Sequence, residues 1–158
     1  MWGVDNKAML IAQRKLYRAI DQERIRKAID EAERRTSGEI RVSIAPFFLG
    51  DVEQAAESTF RRLGMERTRD RNAVLFFFVP SRRRFAVIGD EGIHARVGPD
   101  FWPKVVEAVA ERFRKAEYTE GLVEGIETVG RELAAHFPFH AETDVNELPN
   151  EIDFGRDH

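Results

Sequence analysis

Seven consecutive apolar residues, Ala73 to Val79 (AVLFFFV), constrain this 158-residue chain more than any other stretch. Bounded by Asn72 and Pro80, the run is too short to cross a membrane and has the pattern of a β-strand buried on both faces. Such a strand needs cover on each side, so the rest of the chain has to supply it. Phe85 to Ile88 is a second, shorter apolar run, and Pro80 to Arg84 between the two fits a tight basic turn. Together they read as an antiparallel hairpin whose open end brings Asp90 and Glu91 beside Asp70 and Asn72.

Around that hairpin the apolar pattern is helical. Met9, Ala12, Leu16 and Ile20 recur at helical spacing and predict a docking helix within residues 1–20. Asp21 is placed to cap a second helix with Ile25, Ala28, Ile29 and Ala32 along one stripe. From Glu39 to Ile44 the period changes to two, with Ile40, Val42 and Ile44 alternating against Glu39, Arg41 and Ser43 as in a half-buried strand. Asp51 and Gln54 form a capping pair for a helix that turns Val52, Ala55, Ala56, Phe60 and Leu63 inward and ends at Gly64. Beyond the hairpin, Gly98, Pro99 and Asp100 precede an amphipathic helix carrying Trp102, Val105, Val106, Val109 and Phe113 on one face. Thr119 is the expected cap of a last helix, whose Gly121, Gly125 and Gly130 leave room for close packing on the sheet.

Strand, helix, strand is a βαβ unit, so strand 39–44 should run parallel to strand 73–79. The fold class that follows is α/β, an α/β/α sandwich with a small mixed central sheet and helices on both faces. One domain over residues 21–138 suits this length, with an acidic, extended or mobile tail over 139–158.

Composition excludes several classes. The chain has no cysteine, hence no disulfide framework, thiolate nucleophile or cysteine-zinc site, and a reducing cytoplasm would suit it. No stretch has the core of a signal peptide or of an integral membrane segment. Arg82, Arg83 and Arg84 lack interleaved aromatic residues and read as a solvated turn, so no nucleic-acid partner is expected. Six acids against Arg156 follow Phe139, interspersed with Val145, Leu148, Ile152 and Phe154. That tail could pack on its own domain, exchange between protomers or engage a protein partner.

The parallel strand pair and the hairpin return place three loops at one sheet edge. Asp70, Asn72, Asp90 and Glu91 meet there, with Glu39 and Asp100 as outer members. Carboxylates and an amide oxygen, interleaved with glycine that frees backbone carbonyls, suit a hard cation such as calcium or magnesium. The same residue types also serve ordinary turns. No EF-hand loop or metal-binding histidine pair accompanies them. If the site is catalytic, Asp70 or Asp90 is the candidate nucleophile or base.

RTSGEIRV at the first strand, the helix ending FRRLG, RNAVLFFFV, VIGDEGI and YTEGLVEGIETVG together resemble the TPM domain family over about Asp21 to Phe137. VNELPNEIDFG is similar to the tail of a leaderless bacterial subgroup. The resemblance implies an α/β sandwich with an acidic crevice able to hold calcium, on whose loops Asp70, Asn72, Asp90 and Asp100 fall. It also implies two functional readings: a cation-binding, regulatory module, or a metal-assisted acid phosphatase acting on phosphomonoesters.

Overall fold

The computed structural model describes residues 20–45, 50–82, 84–140 and 148–155. Apart from Ile20, the expected N-terminal docking helix lies outside these residues, as do Arg83 of the basic turn and Val145 of the tail. Three strands, β1 (Glu39–Ile44), β2 (Ala73–Val79) and β3 (Arg84–Gly89), form one sheet in the order β1-β2-β3. β1 pairs with β2 in parallel, Glu39 opposite Ala73, and β2 pairs with β3 antiparallel, Val74 opposite Gly89. The starts of β1 and β2 and the end of β3 therefore share one edge.

Every residue of β2 is buried. Because side chains alternate across a strand, this apolar run feeds two cores. Val74, Phe76 and Phe78 join Ile40, Val42 and Ile44 against α1 (Gln22–Glu33), α4 (Phe101–Arg114) and α5 (Tyr118–His136). Ala73, Leu75, Phe77 and Val79 point the other way, onto Val52, Ala56 and Phe60 of α2 (Val52–Arg62) and onto Met65. The α/β sandwich expected from the strand pattern is the observed fold. Each fully buried Phe or Leu here stabilises it by about 1.5–3 kcal/mol relative to exposure.

The glycines of α5 do what close packing requires. A Cβ on Gly125 would stand 2.9 Å from the Phe76 ring and from a Val109 methyl, and one on Gly130 would stand 2.8 Å from the Ala32 methyl. Asp21 and Asp51 cap α1 and α2 as their positions predict, accepting from the amides of Arg24 and of Glu53 and Gln54 respectively. Two elements differ from the sequence reading. A seven-residue helix, α3 (Glu91–Val97), follows β3 with only Ile93 buried, too little apolar pattern to show as periodicity. α5 starts at Tyr118 rather than after Thr119, whose hydroxyl instead accepts the Asp21 amide at 3.0 Å and joins the starts of α1 and α5.

Residues 148–155 pack on their own domain. Leu148 enters the α2 core and Ile152 the opposite one. The Asp153 amide donates to the Val42 carbonyl at 2.9 Å and the Ile44 amide to the Asp153 carbonyl at 2.7 Å, a parallel bridge on the free edge of β1. Asp153 also accepts from Ser43 Oγ and from Arg62 Nη2, each at 2.7 Å. An unpaired strand edge is thereby covered by the chain's own tail.

Candidate functional site

Hydrogen bonds tie the three loops together at the shared sheet edge. The Glu39 amide donates to the Asn72 carbonyl at 3.4 Å, the Gly92 amide to the Arg71 carbonyl at 2.8 Å, and the Asp90 amide to the Ala73 carbonyl at 2.9 Å. Gly92 is fixed by this crossing, since a Cβ there would lie 2.2 Å from the Asp70 carbonyl oxygen and 2.5 Å from that of Arg71. Both obstacles are backbone, so no side-chain movement relieves them. Arg71 itself has a left-handed φ of 52°. A bulky residue held there marks a corner imposed by its surroundings.

Asp90 is buried and does two jobs. It caps α3 through the Glu91 amide at 2.8 Å, and it takes a two-point bond from Arg71, Nε to Oδ2 at 2.7 Å and Nη2 to Oδ1 at 2.9 Å. Arg71 Nη1 also reaches Glu91 Oε1 at 3.3 Å. The Asp90 bond, with the charges of Glu91 and Glu66 behind it, holds the guanidinium above its ordinary pKa against partial desolvation. Asp70 is exposed and lies 3.5 Å from Arg69 Nη2. Asp100 is exposed at the start of α4 and makes no side-chain capping bond. The structure thus brings Asn72, Asp90, Glu91 and Glu39 to one edge with Asp70 at its rim. Nothing in the hydrogen bonds or ion pairs of the described residues ties Asp100 to them.

Glu39 is 2% exposed and pairs with Glu33, the last residue of α1. Burial and then the charge of Glu39 push the Glu33 carboxyl up to about 9, so at neutral pH it carries a proton to donate to Glu39, while its Oε2 accepts the Ile40 amide at 2.8 Å. Glu33 escaped the sequence reading, although a signal was there: it stands four residues after Ile29 on the buried stripe of α1.

The sequence reading also missed two oxygens on the segment that leads to Asn72. Asn72 is 1% exposed, and its Nδ2 donates to Ser37 Oγ at 3.2 Å, leaving Oδ1 with no hydrogen-bond partner among the described residues. Thr68 Oγ1 and Glu66 Oε2 are buried in the same condition. Three such oxygens fall within residues 66–72, where each costs about 1–3 kcal/mol unless an ion or water answers it. Among the described residues, no three acidic or imidazole side chains are grouped so that they could hold a metal by themselves. A cation would need amide, hydroxyl or carbonyl oxygens as well. On the surface, His94 accepts from Trp102 Nε1 at 3.2 Å.

A small mixed sheet between helical layers, with a polar, acid-bearing corner where three loops cross at one sheet edge, defines the class as an α/β sandwich. The chain matches the TPM domain family over residues 5–132 and belongs to it. It is similar to the BA42 protein of the psychrophilic bacterium Bizionia argentinensis, at 37% identity and a TM-score of 0.79, over 86% of this chain and 95% of that one. Two further structures share the fold. They are the N-terminal domain of the cg2496 protein from Corynebacterium glutamicum (14% identity, TM-score 0.55, 86% of this chain and 79% of that one) and the N-terminal domain of a protein from P. gingivalis (17%, 0.52, 87% and 82%). A comparison with curated proteins returns no match. Among the described residues, no helix is long and apolar enough to cross a membrane.

Proposed function

We propose that the loop crossing at the sheet edge binds a divalent cation, calcium in preference to magnesium, and that the domain works as a cation-responsive binding module. The observation that carries this reading is the set of buried oxygens on residues 66–72, Glu66 Oε2, Thr68 Oγ1 and Asn72 Oδ1, that lack hydrogen-bond partners among the described residues. They sit on the segment whose Arg71 neutralises Asp90 and Glu91. A hard cation would answer the first group and replace the guanidinium on the second. Calcium accepts six to eight oxygens in loose geometry, whereas magnesium demands a near-ideal octahedron, so a mixed set on crossing loops favours calcium. The Arg71 side chain is 41% exposed and can leave for solvent, at the cost of an ion pair.

A phosphomonoesterase would need a basic group facing its substrate. Arg71, the basic group at this edge, is bonded to Asp90 and Glu91 and would have to leave them before it could face a phosphate. Calorimetry with calcium and with magnesium, run beside a phosphomonoester assay, separates binding module from enzyme. Saturable calcium binding without turnover is the expected result. Absence of saturable binding at millimolar ion overturns the proposal, and turnover lost in Asp90→Asn with the fold intact would establish the enzyme instead.

A further inference from the structure

The strand edge that the tail covers offers more than backbone. Arg41 and Ser43 stand opposite Leu75 and Phe77 of β2, so they project to the α2 side of the sheet, where Arg62 ends α2. Ser43 and Arg62 hold the Asp153 carboxylate there, with Arg62 Nη1 at 3.4 Å and the Gly155 amide at 3.3 Å completing its donors. Ile152 turns to the other side and joins the core beneath α1 and α5. The strip thus reads three features of an extended segment: a backbone parallel to β1, an aliphatic side chain and the acid that follows it.

The tail answers only part of this strip. Its bridge to β1 is isolated, Asn150 donates to Asp30 of α1, and the chain bends at Glu151. A parallel register with Asp153 opposite Ser43 would set the residue two earlier opposite Arg41, but Glu151 is exposed and acts on Arg41 through charge. Arg41 Nε is buried and has no hydrogen-bond partner among the described residues. Burial, with Arg62 beside it, holds that guanidinium below its ordinary pKa against the charges of Asp153 and Glu151. A charged donor buried in this way carries a cost that a carboxylate at that register position would remove.

We propose that the outer edge of β1 is a docking strip for an extended acidic segment of a partner protein, with acids at alternate positions for Arg62 and Arg41 and an aliphatic residue between them, and that residues 148–155 are its resident competitor. Added as a strand, such a segment gains main-chain bonds from the edge and specificity from its alternate side chains. The tail has the advantage of belonging to the same chain, and the partner that of the second acid. Either occupant covers the edge, so exchange between them leaves no strand open to aggregation.

Titration of the isotope-labelled full chain with the capped peptide Val-Glu-Val-Glu-Ile-Asp tests this, with Val-Glu-Val-Gln-Ile-Asp as control. The first peptide should shift the Ser43 and Ile44 amides saturably, and should do so in Asp153→Asn at about a tenth of the concentration, because that tail has lost its charge. The control should bind about tenfold more weakly, a comparison that requires no variant of the chain to fold, and Arg41→Gln should abolish the difference. No saturable shift at millimolar peptide, equal affinity for the two peptides, or shifts centred on another surface would overturn the proposal. So would shifts of Ser43 and Ile44 on dilution of the chain alone, which would make a second copy the occupant of the strip.

Discussion

Arg71 lays its guanidinium flat against Asp90, both nitrogen–oxygen distances below 3 Å, from a backbone corner in the left-handed region. Two loops nineteen residues apart are clasped by that one pair. On the proposed reading the guanidinium holds the place of a cation and competes with it. Arg71→Asn removes the positive group while keeping a residue that tolerates the left-handed corner. Calcium affinity measured by calorimetry should then rise several-fold, the equivalent of about 1 kcal/mol for a part-exposed ion pair. An unchanged or weakened affinity would place the cation elsewhere.

Gly92→Ala tests the crossing itself. A methyl at this position meets two backbone carbonyl oxygens, so the loops at 70–72 and 89–92 must part. Unfolding in urea should show a loss of about 2–3 kcal/mol. A loss within the range of ordinary surface substitutions, about 0.5 kcal/mol, would contradict the packing described.

The Glu33–Glu39 pair makes stability depend on pH in a defined direction. In the unfolded chain Glu33 ionises near its ordinary value of ~4.3, whereas in the fold it keeps its proton up to about 9. Its stabilising contribution is complete at acidic pH and is lost as pH rises through that window. Glu33→Gln retains an acceptor for the Ile40 amide and a donor for Glu39 without a titrating proton. Relative to this variant, the parent chain should lose at most about 1.4 kcal/mol per pH unit between about pH 5 and pH 8. Parallel stability curves over that range would show that Glu33 is not buried as a neutral acid.

Asp153 acts in the opposite sense. Burial alone would raise its carboxyl pKa, but the bonds from Arg62 and Ser43 outweigh burial and hold it below the ordinary value. This contribution is present at neutral pH and is lost on acidification through the lowered value. Asp153→Ala should cost about 2–3 kcal/mol, because Arg62 loses a partner in a mostly buried pair. It should also raise amide exchange at Ile44 and expose the β1 edge to pairing between chains. Amide exchange unchanged at Ile44 would mean that the tail contributes nothing to that edge.

How much of this was legible in the sequence depended on whether a feature was carried by local pattern or by long-range contact. The apolar run of β2, the alternation of β1 and the parallel and antiparallel pairings follow from period and connection rules, and all are observed. So does the meeting of Asn72, Asp90 and Glu39, because parallel strands bring their starts together. α3 was hidden because seven residues with one buried side chain have no measurable period. Thr119 looks like a cap from its neighbours alone, and only the approach of α1 gives its hydroxyl another partner. The seat of Asp153 depends on Ser43 and Arg62, roughly a hundred residues earlier, and no local pattern encodes such a pair. Glu66 and Thr68 were invisible for a related reason: burial of a polar oxygen without a partner is a property of the assembled loop.

The most direct measurement of the central claim is the Asn72 side-chain amide resonance during a calcium titration of the intact chain. The account predicts a saturable shift of that resonance together with the Arg71 Nε–H signal, as the carboxamide oxygen gains a ligand and the guanidinium leaves Asp90. Calcium binding that leaves both resonances in place, or no saturable shift at all, would contradict it.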